Sequence, residues 1–294
     1  MIEPWKGRLA GTLALLSLAI SLVAALVFDR QYKGTSLLTL SNLVGPTVAS
    51  VLQGHGLTAC TVLLGTSGNP ICFHGGWMPL PTLVVASGVW LMGDHFVSVG
   101  LLKTALLLLP VEGAIFLACL RLAPEGTWRR WITGVLLLAP FGISAFLADV
   151  VNLQVEEGYS YSFLALVTAI VLFGRRGARR TVPEAIVFGA SIAGLYLSKS
   201  AMAPAAAVLT MAYVARAGRP AVRAIAAVVA LSAPVGWAMY QHHATGRYSL
   251  GTTIDGFNLR KGNDEIALAR YPPPPGRYAG SIRRGVERWT PVSR

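Results

Sequence analysis

The feature that most constrains this chain is a series of long apolar runs separated by short basic segments. The first run, residues 9–28, is long enough to cross a hydrocarbon core of about 30 Å, which needs about 20 helical residues. Six further apolar runs follow it, at 98–120, 132–150, 160–174, 182–197, 201–215 and 221–240. The pattern predicts an all-α polytopic membrane protein with about seven transmembrane helices.

The overall composition favours the same class. Hydrophobic residues make up 54% of the chain and charged residues only 13%, whereas a soluble domain carries about 25% charged residues. Such a composition excludes a disordered chain, and three cysteines are too few for a disulfide scaffold. A net charge of +12 would suggest nucleic acid in a soluble protein. Here about half of the basic residues lie between the apolar runs, so we expect no nucleic-acid partner.

The basic segments predict the orientation, because Lys and Arg of short loops stay on the cytoplasmic side. Four such clusters occur: Lys6/Arg8, Arg121/Arg129/Arg130, Arg175/Arg176/Arg179/Arg180 and Arg216/Arg219/Arg223. Seven spans with a cytoplasmic N-terminus put all four inside. The first run is then an uncleaved signal anchor, since the apolar core of a signal peptide has only about 7–15 residues.

This orientation divides the chain into a transmembrane domain, residues 1–240, and a short outer tail, residues 241–294. Within the domain, residues 29–97 form a long first outer loop and residues 150–159 a short second one. The apolar run 81–92 is too short to span and is expected to lie at the interface. The tail carries nine Lys and Arg residues, which disagrees with an outer position, but orientation depends mainly on the short loops and the first helix.

The first outer loop holds several residues with possible chemistry. Cys60 and Cys72 suit a disulfide in an extracytoplasmic setting, whereas Cys119 lies in a span and is expected to pack. His55 and His74 are candidate metal ligands, but no third ligand has a recognisable spacing, so no cofactor is firmly predicted and a divalent metal remains possible.

Few carboxylates lie near the predicted outer surface. They are Asp29, Asp94, Asp149, Glu156 and Glu157. Each is either a hydrated charge at the interface or a catalytic base. Glu112 falls within the second span and must face the bundle interior or a water cavity. Lys103 and Lys199 either snorkel to the surface or hold a lipid phosphate.

Four segments together resemble the GT-C fold glycosyltransferases of the dolichyl-phosphate-mannose and aminoarabinose transferase type. They are Gly54-His55-Gly56-Leu57, Pro79-Leu80-Pro81, the Leu-Ser-Lys turn at 197–199, and residues 251–263, which are similar to that family's T-N-G-G-x-N-L-x-x-G-N stretch. The resemblance implies an integral protein of the bacterial inner membrane. It also implies an inverting transfer of sugar from a polyprenyl-phosphate donor, on the outer face, to a lipid, glycan or protein acceptor that it does not identify.

The resemblance also implies roles for individual residues. A carboxylate of the first outer loop would act as the base on the acceptor, here Asp29 or Asp94, helped by Asp149, Glu156 or Glu157. Residues expected to bind the donor or acceptor are Lys199, Lys103, His55, His74, His242, Asn258 and Asn263. The family's usual acid is missing, because residues 40–43 read Leu-Ser-Asn-Leu, and Trp77 stands where the family often has Arg. The chain is also short for the family, which suggests a truncated or minimal member.

Two other functions therefore remain open. A non-catalytic relative would bind the polyprenyl-phosphate lipid without transferring sugar. A small-solute transporter would pair Glu112 with another polar group near the middle of the membrane.

Overall fold

The computed structural model describes residues 4–31, 44–61, 71–93, 96–122, 126, 128–138, 156–175, 177 and 179–252. The helices in this part of the chain are α1 (Pro4–Gln31), α2 (Val44–Leu52), α3 (Pro79–Met92), α4 (Phe96–Leu122), α5 (128–138), α6 (Glu156–Phe173), α7 (Val182–Ser198), α8 (Ala203–Arg216) and α9 (Pro220–Thr245). A 3₁₀ turn, Ser200–Met202, joins α7 to α8. The predicted all-α class is correct for the bundle.

The first predicted outer loop departs from that class, since it contains a short antiparallel hairpin. Its strands are β1 (Thr58–Thr61) and β2 (Ile71–His74). The register pairs Thr58 with His74 and Cys60 with Cys72. Cys72 is disulfide-bonded and Cys119 is a free, buried thiol. The loop therefore carries the disulfide expected from the sequence, and Cys119 packs in α4.

The apolar runs fold into helices for local reasons. Proline stands in the first turn of α3, α7, α8 and α9, where its missing N–H costs no hydrogen bond. Two stretches of the described chain are long and apolar enough to cross a membrane, Pro4–Val23 and Pro220–Thr245. Shorter apolar helices cover Pro79–Met92, Gly158–Phe173 and Val182–Ser198.

The helices run alternately up and down the bundle. Leu9 and Leu13, near the start of α1, pack with Cys119, near the end of α4. Arg121, at the end of α4, donates from Nε to the carbonyl of Phe173, the last residue of α6, at 3.0 Å. The ends of α4 and α6 therefore lie beside the start of α1.

The last three helices repeat the alternation. Tyr213, near the end of α8, stacks on Phe188, near the start of α7, with ring centroids 4.0 Å apart. A Cβ on Gly189 of α7 would lie 2.7 Å from Cβ of Val229 in α9, so these two helices pack closely near their middles. As a result, the described basic segments collect at one end of the bundle. We call it the arginine end, and we call the opposite end, which carries the hairpin, the hairpin end.

The largest core cluster joins α6, α7, α8 and α9. Its members are Val167, Ile170, Val171, Ala185, Phe188, Ile192, Leu195, Ala206, Tyr213, Ala217, Val222, Ala226 and Ala230. Many other apolar side chains face outward, including Leu15, Val208 and Val228, which are 70%, 60% and 67% exposed. An apolar exterior of this kind is typical of helices that contact lipid.

Some helix boundaries differ from the predicted ones. α9 continues to Thr245, so His242 lies in its last turn and not in a tail that begins at residue 241. The sequence placed Glu156 and Glu157 in the second outer loop, but they begin α6. The predicted loop 29–97 was expected to carry interfacial helices, and α2 and α3 lie within it, whereas the hairpin was not expected there.

Candidate functional site

The hairpin docks onto the ends of α7 and α9. The backbone N–H of Leu57 donates to the phenol oxygen of Tyr240 at 2.7 Å, and the carbonyl of Leu57 accepts from the N–H of Gly75 at 2.7 Å. Gln241 donates from Nε2 to the carbonyl of Gly75 at 3.2 Å. The residues that flank the two strands, Leu57 and Gly75, are thus both bonded to the last two turns of α9.

Apolar packing supports these bonds. Leu57, Met78, Tyr196, Ala233 and Trp237 form one buried cluster, which we call the docking cluster. The indole of Trp237 stacks on the ring of Tyr240, with centroids 5.4 Å apart. The cluster therefore joins the predicted outer loop, α3, α7 and α9 at the hairpin end.

The helical period of α9 explains how its side chains reach the hairpin. Buried residues recur along the helix at Ala226, Ala230, Ala233, Trp237 and Gln241, which is the spacing of three to four that defines one face. Gln241 is fully buried, and its Oε1 accepts no hydrogen bond from the described residues. An unpartnered acceptor in a buried amide is costly, so this position is available to a polar ligand or water.

The chain after α9 folds back over the same cluster. Gly246 ends the helix with a left-handed φ of 73°, as glycine does most easily. Trp237 donates from Nε1 to the carbonyl of Gly251 at 3.0 Å, and the phenol of Tyr196 donates to the carbonyl of Leu250. The first residue of the predicted 251–263 segment is thereby held against the docking cluster.

His55 and His74 lie at the exposed edge of the hairpin. Oγ1 of Thr58 lies 3.0 Å from Nδ1 of His74 and donates to the carbonyl of His55 at 3.4 Å. The Thr58 hydroxyl has one proton. When it donates that proton to the carbonyl of His55, Nδ1 of His74 donates to Oγ1 of Thr58. Within the described ranges, no three His, Cys, Asp or Glu residues lie together as a metal site.

Lys199 marks the break between α7 and the 3₁₀ turn, as predicted for a tight turn. Its backbone is extended, with φ −156° and ψ 116°. The neighbouring Ser198 is fully buried, and its Oγ lies 3.0 Å from Oγ of Ser160 on α6. Leu197 and Ala203, on either side of the turn, pack against the docking cluster. Lys199 therefore belongs to the hairpin end.

His242 lies near this site but is engaged elsewhere. Its ring stacks on that of Tyr248, with centroids 4.1 Å apart. Both side chains are exposed, so the stack covers the outer side of the last turn of α9. His242, expected from the sequence to bind the donor or acceptor, is therefore in an aromatic stack with Tyr248.

Several predicted site residues lie outside the described part of the chain. They are Asp94, Asp149, Asn258 and Asn263. For four others the structure describes only the backbone: Asp29 in α1, Lys103 in α4, and Glu156 and Glu157 in α6. The two acids with described side chains are Glu112 and Glu184, and neither contacts the docking cluster.

Glu112 occupies a polar position inside the bundle. Ser17 on α1 donates a hydrogen bond to its carboxylate. Ser21, one turn further along α1, is also fully buried, and its Oγ has no hydrogen-bond partner in the described chain. The interface of α1 and α4 therefore contains a carboxylate and two hydroxyls among leucine and valine side chains.

Comparison with known proteins adds no relative. Neither a protein-family model, nor a curated protein, nor a solved structure matches the chain. The class that the sequence and fold define is thus a helical bundle with an apolar exterior and a disulfide-bonded hairpin docked at one end, with two candidate membrane-spanning helices among the described residues.

Proposed function

We propose that the protein transfers a sugar from a polyprenyl-phosphate donor to an acceptor at the hairpin end, which faces the outside of the membrane. The observation that carries this proposal is the meeting of the four segments that resemble the GT-C glycosyltransferases. The turn at 54–57, the start of α3 at Pro79, the turn at Lys199 and residue 251 all adjoin the docking cluster. In sequence, the first two segments lie more than a hundred residues before the other two.

A seven-span topology is part of the proposal. The alternating helix directions support it, because α1, α5, α7 and α9 start at the arginine end while α4, α6 and α8 finish there. The arginine end is then cytoplasmic, in agreement with the positive-inside rule. The helices shorter than a full span pack against longer neighbours, which a bundle tolerates.

The chemistry proposed for the hairpin end follows from the reaction. The acceptor hydroxyl attacks the anomeric carbon, the bond from that carbon to the phosphate oxygen breaks, and a base takes the hydroxyl proton. The leaving phosphate keeps the electron pair and needs a cation, for which Lys199 is the candidate. The candidate bases are the five outer carboxylates, Asp29, Asp94, Asp149, Glu156 and Glu157.

The test uses the purified protein in nanodiscs and a panel of polyprenyl-phosphate sugars of several sugars and chain lengths. We expect release of polyprenyl phosphate, lowered about 10²-fold in Lys199→Ala. Lys199→Arg, which keeps the charge, and Arg247→Ala, an exposed cation at the same end, are the matched controls. Donor binding without release would favour the non-catalytic relative, and no binding across the panel would contradict the proposal.

One observation favours transport as a second candidate. A transporter would pair Glu112 with another polar group near the middle of the membrane, and Ser17 lies within hydrogen-bond reach of its carboxylate. A transporter would lose solute uptake in Glu112→Gln, whereas a transferase would keep its turnover in that variant. Measuring both activities in the same proteoliposomes separates the two functions.

A further inference from the structure

The arginine end contains a cavity lined by described residues. It has a volume of about 990 Å³ and lies between the ends of α4 and α6 and the segment leading to α7. A second cavity, about 470 Å³, lies among apolar side chains of α4, α5 and α6. Sites for small ligands usually measure about 300–1,000 Å³, so the first cavity is large enough for a lipid head group.

Three of the described residues that line this cavity are arginines, namely Arg121, Arg175 and Arg179. The Arg121 side chain is fixed by the bond from Nε to the carbonyl of Phe173, which leaves its two terminal amino groups outside that contact. Planar guanidinium groups bind phosphate oxygens in pairs, which suits them to a phosphate better than to a single-atom anion.

The other side chains described in the wall of the cavity are apolar. Leu122 and Leu172 line the cavity and are 68% and 48% exposed, and Phe173 completes this side. A site that combines cations with exposed leucines matches the two parts of a phospholipid, a charged head group and an acyl chain. Basic pockets between helices on the cytoplasmic side bind anionic lipids in this way.

Two features oppose an anion here, and both are offset. The C-terminal ends of α4 and α6 carry partial negative charge. However, Arg121 binds the Phe173 carbonyl, and Arg216 binds the Val171 carbonyl at 3.0 Å, so two of the exposed carbonyls of α6 are already satisfied.

The second opposing feature is a carboxylate. Oε1 of Glu184 lies close to Gly174, where it would be 3.1 Å from an added Cβ. It also lies 3.9 Å from Nε of Arg180, which offsets its charge. Among the described residues that line the cavity, three are cationic and none is acidic.

We infer that this cavity binds a phosphate group, carried by an anionic phospholipid of the leaflet at the arginine end or by a soluble phosphate. The inference does not rest on the transferase proposal, because the site lies at the opposite end of the bundle. It also goes beyond the positive-inside rule, which places arginines on one side but does not gather them around one cavity.

The test compares nanodiscs of phosphatidylcholine alone with nanodiscs that include phosphatidylglycerol, and counts bound lipid by native mass spectrometry. We expect retained phosphatidylglycerol, and at least a tenfold loss of its affinity in the double variant Arg175→Gln/Arg179→Gln. These two side chains are exposed, so the fold should survive the change. Arg129→Gln is the matched control, since Arg129 is also exposed at this end but contacts Trp128 and does not line the cavity.

Titration with inorganic phosphate and pyrophosphate in phosphatidylcholine nanodiscs identifies the source of the phosphate. Binding there that competes with phosphatidylglycerol would support a soluble ligand, and phosphatidylglycerol binding without competition would support the lipid. An unchanged affinity in the double variant would overturn the inference. An equal loss in Arg129→Gln would do so too, because the attraction would then be diffuse.

Discussion

The N–H of Leu57 and the phenol oxygen of Tyr240 form a hydrogen bond of 2.7 Å across 183 positions of sequence. It ties the predicted outer loop to the end of the last helix. Tyr240 is half-buried, so removing its hydroxyl oxygen leaves the shielded N–H of Leu57 without an acceptor. This bond makes the position of the hairpin directly testable.

Tyr240→Phe is expected to lower stability by about 1 kcal/mol, because it removes the acceptor while keeping the ring that stacks on Trp237. Hydrogen exchange at Leu57 should accelerate more than the average of the hairpin. Tyr248→Phe is the control, since Tyr248 is 72% exposed. Equal exchange in the two variants would mean that the hairpin does not depend on this bond.

Gly75→Ala is expected to release the hairpin from α9. A Cβ there would lie 2.3 Å from Nε2 of Gln241 and 3.0 Å from Cη2 of Trp237, and the φ of +59° already disfavours a side chain. We expect a loss of about 2–4 kcal/mol from the clash and the backbone strain together.

Gly54→Ala separates these two causes. Gly54 has a similar φ of +79°, but nothing lies within 4 Å of its added Cβ. This variant should lose only about 1 kcal/mol, the backbone part alone. Thermal unfolding in the same detergent measures both variants, and equal losses would show that docking against Gln241 contributes nothing.

Reduction of the disulfide is expected to destabilise the same region. The bond closes a loop of about 13 residues, which corresponds to about 3 kcal/mol in the chain-entropy model. Cys72→Ser should therefore lower the unfolding temperature and remove its response to reductant. Cys119→Ser, at a buried free thiol in α4, should leave that response intact. A wild-type protein insensitive to reductant would contradict this prediction.

The sequence predicted the helices well but could not predict the site. Long apolar runs determine the helices locally, so the positions of α1, α4, α7 and α9 followed from hydrophobicity alone. The strands have four residues each, which is too short for alternation to be recognised. The Cys60–Cys72 spacing was the one local sign that this loop is closed.

The residues that hold the hairpin were missed for a related reason. Gln241 was counted as the first residue of a tail, although it continues the buried series Ala230, Ala233 and Trp237 at helical spacing. Extending that series would have identified it as a buried polar side chain. Its partner, the carbonyl of Gly75, is 166 positions away, and nothing in a single sequence reveals such a pair.

At the arginine end, Arg180→Ala is expected to cost about 3–5 kcal/mol, because it removes one partner of a buried ion pair. Arg180 is 1% exposed, donates to the carbonyls of Arg175 and Tyr213, and lies 3.8 Å from the Tyr213 ring centroid. Arg219→Ala, at an exposed arginine, is the control, and its free energy of unfolding should lie within about 0.5 kcal/mol of the wild-type value. Equal free energies of unfolding in the two variants would refute this role for Arg180.

The proposed orientation predicts which end of the bundle is accessible from outside the cell. In a Cys119→Ser background, Tyr248→Cys should react with a membrane-impermeant maleimide in intact cells, because residue 248 follows α9 at the hairpin end. Arg179→Cys should react only after permeabilisation, since it precedes α7 at the arginine end. Both native side chains are exposed, so burial does not protect either position. Labelling of Arg179→Cys in intact cells would reverse the orientation, and the proposed transfer would then have to use a donor on the cytoplasmic side.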